Sequence, residues 1–102
     1  MSHITDLRKV IRELHGAKAR HVESVPVRET FQDQIVWDGV VEVFDLTGHP
    51  QANRIYAWAH ETDDPKNPKR YVTVLHIPPV VSPQTAVQAS ILQEYKSRAK
   101  SN

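Results

Sequence analysis

Apolar residues recur every third or fourth position at the two ends of the chain and every second position through its middle. At the start, Ile4, Leu7, Val10, Ile11 and Leu14 share one helical face, with Arg8, Lys9, Arg12 and Glu13 on the other. The pattern predicts an amphipathic helix over about residues 4–15. Thr5 or Ser2 suits its cap, Asp6 the positive end of its dipole, and Gly16 the left-handed residue that ends it.

From Lys18 to Phe31 the period falls to two, with Val25, Val27 and Phe31 alternating against Ser24, Arg28 and Thr30. Pro26 cannot donate to a ladder, so this strand belongs at the sheet edge with that position facing outward. Gln32, Asp33 and Gln34 read as a short hairpin connection into Ile35–Leu46, the richest β-forming run and the expected central strand. Gly39 inside it marks either a bulge or a place where another side chain needs room. After the breakers of 47–53, Tyr56, Trp58 and His60 alternate with Ile55, Ala57 and Ala59 in a third strand ending at Glu61. A polar loop over 62–68 leads to a fourth strand, Arg70 to Ile77, which Pro78 and Pro79 stop. Ser82 followed by Pro83 signals a cap and first turn, and Val87, Ile91 and Tyr95 give one helical face through about residue 97. Residues 98–102 read as a frayed basic tail.

This order predicts an α+β fold in which a four-stranded antiparallel meander sheet carries the N-terminal and C-terminal helices on one face. Pairing 31 with 35, 46 with 54 and 61 with 70 places Val25, Val27, Phe31, Ile35, Trp37 and Val41 with Val43, Ile55, Ala57, Ala59, Val72 and Val74 beneath the helices. Ala57 and Ala59 would let a helix approach closely. The opposite face collects Val40, Glu42, Phe44, Tyr56, Trp58, His60, Tyr71, Thr73 and Leu75, too polar for a core and too apolar for plain solvent. It is the candidate ligand or interface face. A one-residue slip in any hairpin exchanges the two sets, because side chains alternate with period two.

Composition narrows the class. A chain of 102 residues with 39% hydrophobic and 25% charged residues fits one globular domain over 1–102. Without cysteine, neither a disulfide framework nor a thiolate metal site is available. No apolar run approaches the ~20 residues of a spanning helix, so a cytoplasmic protein without a membrane partner is expected. Net charge is +1, unevenly spread: five basic and two acidic residues in 1–20, against six acidic residues and Arg28 alone in 21–50. Basic ends and an acidic middle can satisfy each other internally or across two copies, which weakens a nucleic-acid reading.

Among candidate chemistries, His60, His76, Asp63 and Asp64 form the best metal cluster, but their spacing matches no compact signature and the expected register sends the two histidines to opposite faces. No metal and no cofactor are expected. Glu42 and His60, with Tyr71 near, have the makings of an acid–base pair; the simpler reading is a hydrogen bond to each other or to a neighbouring subunit. No nucleophile elbow, glycine-rich phosphate loop or paired-carboxylate spacing points to an enzyme. The function expected is therefore binding, with a homodimer joined through the open aromatic face. The alternative is a small-molecule site, catalytic or not, in an aromatic cleft containing Glu42 and His60. Single-stranded nucleic acid stacked on Tyr56 and Trp58 ranks third, since Asp38 and Glu42 on that face oppose a phosphate backbone.

Overall fold

The computed structural model describes residues 3–66 and 68–100, with side chains as far as residue 94 and without that of residue 61. Its elements are α1 (His3–His15), β1 (Lys18–Phe31), β2 (Gln34–Thr47), β3 (Arg54–Glu61), β4 (Lys69–Leu75) and α2 (Pro83–Lys100). The strands form one antiparallel meander in the order β1-β2-β3-β4, so the class and the element order are those the pattern predicts. The helix α2 extends three residues past the expected end, to Lys100, and residues 101–102 of the expected tail lie outside the described residues. The side chain of Tyr95 lies outside them as well.

Local chemistry sets the ends of the elements. Gly16, at φ 65°, donates its N–H to the Arg12 carbonyl at 2.9 Å and closes α1 as a left-handed cap. At the start of α2, Thr85 N–H donates to Ser82 Oγ at 3.1 Å, while Thr85 Oγ1 accepts from the N–H of Ser82 at 2.9 Å and of Val81 at 3.0 Å. This is the reciprocal arrangement of a capping box, with threonine in the place of the usual acid or amide.

The helices do not share a face. Leu7 and Ile11 of α1 pack with Phe44, Leu46, Ile55 and Ala57, whereas Ala86 and Val87 of α2 pack with Val41, Val43, Tyr56 and Trp58. Ile55 and Ala57 leave β3 on one side and Tyr56 and Trp58 on the other, so the sheet lies between two apolar layers, one beneath each helix. The cause is a slip of one residue at each hairpin. Phe31 pairs with Gln34, Asp45 with Arg54 and Glu61 with Lys69, instead of 31 with 35, 46 with 54 and 61 with 70. Two of these slips flank β3 and turn it over relative to both neighbours. Val41 and Val43 therefore join Tyr56 and Trp58, and Phe44 joins Ile55 and Ala57. The slip at the first hairpin is undone by a register shift between Glu29 and Thr30, so Val25 and Val27 stay with Val41 as expected.

Pro26 occupies the outer strand, opposite Val40. The 2.9 Å bond from Leu46 N–H to the Asn53 carbonyl shows that even-numbered residues of β2 direct their backbone groups toward β3. The Pro26–Val40 pair is therefore not hydrogen-bonded, and the missing N–H faces the free edge. Gly39 marks room for a side chain: a β-carbon there would lie 3.2 Å from the Trp37 ring.

β1 and β2 are each 14 residues long, but β3 pairs with β2 only as far as Glu42–Ala57. Beyond that row the β1–β2 hairpin continues as a two-stranded arm. One side of the arm is tied to α2, since the Gln84 side-chain amide donates to the Arg28 carbonyl at 3.2 Å and to the Glu29 carboxylate, and Gln88 donates to Glu29 at 3.2 Å. The other side reaches past the layer that α1 covers.

Candidate functional site

The nine residues expected on one open face are divided among three places. Glu42, Phe44, Tyr71, Thr73 and Leu75 lie on the α1 side, where Phe44 is fully buried and Tyr71 and Leu75 pack against the core. Tyr56 and Trp58 are 2% exposed beneath α2, and His60 follows them on that side as an exposed residue. Val40 stands on the arm, exposed. No open aromatic sheet face exists among the described residues, because each helix covers one side. Neither Tyr56 nor Trp58 offers a free ring face to a base or to a second copy.

Glu42 and His60 leave the sheet on opposite sides, so no cleft contains both. Glu42 is 5% exposed and accepts from His21 Nε2 at 2.9 Å and from the Ser24 hydroxyl. A nearly buried carboxylate is tolerable there because two donors meet it, and charge-assisted bonds of this kind are the stronger ones. Ser24 Oγ also lies 3.5 Å from His21 Nε2, so serine, histidine and carboxylate meet at one ring nitrogen. A nucleophile relay needs the two ring nitrogens to serve different partners. The cluster instead pins β1 to β2 beside the register shift between His21 and Glu23, and the His21 ring packs edge-on to Phe44 at 5.3 Å.

His15, His49 and His76 are similarly occupied. His15 Nε2 and Thr73 Oγ1 are 3.0 Å apart, and burial, with the nearby His49 charge adding to it, holds His15 below its ordinary value. The Tyr56 hydroxyl and His76 Nδ1 are hydrogen-bonded at 2.6 Å, and burial pushes the Tyr56 phenol up, against a smaller opposite pull from Arg54. His60 and His76 lie on the same side of the sheet, not on opposite sides. They stand at the two ends of β3, with His60 opposite Arg70 and the His76 N–H bonded to the Arg54 carbonyl at 2.9 Å. Six residues of strand separate those rows, roughly 20 Å. No group of three potential metal ligands occurs among the described residues.

Two surfaces remain that the pattern of the chain does not single out. On the arm, Ile35, Val36 and Val40 are 55%, 49% and 46% exposed on the stretch that α1 does not reach, around an exposed ion pair between Arg28 and Asp38 at 3.3 Å. Between α2 and the β3–β4 hairpin lies a cleft of about 550 Å³ bordered by Trp37, Trp58, His60 and Arg70. The signal for the arm lay in strand lengths, since a hairpin longer than the strand beside it must overhang. Arg70 and Trp37 carried no such signal; their meeting depends on the register of β3.

No protein-family model matches the chain, nor does any curated protein or solved structure. Among the described residues no helix is long and apolar enough to cross a membrane.

Proposed function

We propose that the protein is a small cytoplasmic interaction domain that pairs with a second copy of itself through the uncovered side of the β1–β2 arm. The observation that carries this reading is the combination on that side of exposed Ile35, Val36 and Val40 with the Arg28–Asp38 pair. A surface that meets its own copy across a two-fold axis must complement itself in charge. One cation and one anion side by side do so, because Arg28 of each copy can face Asp38 of the other. The apolar residues around them supply the area that gains from leaving water. Five side chains are far fewer than the ~20–30 a side of a standard stable interface, so the dimer should be weak and dilute readily.

Charge exchange tests this directly. The Arg28→Asp variant carries two acids in the patch and the Asp38→Arg variant carries two bases, and both positions are exposed enough to leave the fold alone. Each variant by itself should sediment as a monomer at concentrations where the parent dimerises, and an equal mixture of the two should recover the dimer mass. A parent that stays monomeric at high concentration, or a mixture no heavier than its parts, removes the proposal.

A further inference from the structure

The cleft between the middle of α2 and the β3–β4 hairpin has an apolar interior and a basic mouth. Val72 and Val74 of β4 form its floor, Ile91 of α2 its roof, and Trp37 closes the side toward the arm. The Trp37 ring is held in place from two directions. Trp58 meets it edge to face with centroids 5.5 Å apart, and Gly39 leaves the space that its six-membered ring occupies. At the mouth, Arg70 stands directly across the strands from His60.

The four ion pairs among the described residues involve Arg20, Arg28, Arg54 and His21 with Asp45, Asp38 and Glu42, and none reaches this mouth. The side chains of Arg70 and His60 have no hydrogen-bond or ion-pair partner among the described residues. We infer that the cleft binds a small carboxylic acid with a flat apolar body, the body lying against Trp37, Val72 and Ile91 and the carboxylate meeting Arg70. A guanidinium presents paired donors that match the two oxygens of a carboxylate, and a planar body suits a wall made of an indole and branched aliphatic side chains. Glu94, on the roof of the same cleft, opposes a second negative charge and so favours a monoanion over a dianion.

The chain has two tryptophans, both lining this cleft, so tryptophan emission reports on it alone. Titration with phenylpropionate should change that emission saturably in the millimolar range or below. Its neutral amide, phenylpropionamide, should bind about tenfold more weakly, a typical difference for one charge-assisted contact. Arg70→Gln should bring the acid down to the level of the amide and leave the amide unchanged. Two results overturn the inference: no saturable change with either compound, or a preference for the acid that survives Arg70→Gln.

Discussion

Trp58→Ala is expected to lower the free energy of unfolding by about 3–5 kcal/mol, the usual cost of deleting a large aromatic side chain from a packed interior. Trp58 is 2% exposed, packs in the α2 layer with Val41, Val43 and Val87, and gives Trp37 its edge-to-face partner. A domain of this size has of the order of 5–15 kcal/mol to lose, so the variant should be partly unfolded at ambient temperature or melt far below the parent. Urea unfolding followed by far-ultraviolet circular dichroism measures it. A variant with the parent's midpoint but a weaker dimer would mean that Trp58 belongs to an interface and that α2 does not cover it.

The residue next to it answers to the other helix. Ala57→Leu should cost roughly 1–3 kcal/mol through overpacking, because Ala57 is fully buried between Glu42 and Thr73 on the α1 side. A leucine there either lifts α1 from the sheet or pushes against the carboxylate that His21 and Ser24 hold. Thermal unfolding reads the loss. An unchanged melting temperature would show that α1 sits too loosely to notice the larger side chain, contrary to the packing of Leu7 and Ile11.

Periodicity was enough to identify all six elements, the edge position of β1, the cap at Ser82 and the turn at Gly16. It was not enough to orient β3. Both of its sides are apolar, Ile55 and Ala57 on one and Tyr56 and Trp58 on the other, so alternation identifies a strand without saying which set faces which helix. Only hairpin geometry decides that, and its local cues are weak here. The first hairpin turns through Gln32 and Asp33 at φ 50° and 63° with no glycine, a conformation that side chains of this kind adopt at a cost of about 1–2 kcal/mol each. A sequence without glycine favours the longer connection, and the slip follows. The second connection tightens through His49, whose Nδ1 accepts from the N–H of Gln51 and of Ala52 at 3.1 Å each, an arrangement that composition does not reveal. Glu42 was misleading for a different reason. A lone glutamate reads as surface, and its burial depends on His21 and Ser24 arriving from another strand.

A sheet with one helix on each side is held by two separate apolar layers, and β3 is the strand both layers share: residues 55–58 are buried in unbroken succession. Local opening should follow that division. Lifting α1 exposes Phe44 and Ile55 but leaves the packing of Tyr56 and Trp58 in place, and lifting α2 does the reverse, so each helix can open as its own cooperative unit. The amides of β3 stay protected in either event and should be the last to exchange with deuterated solvent, after those of both helices. Equal protection throughout the molecule would instead show that the two layers melt as one.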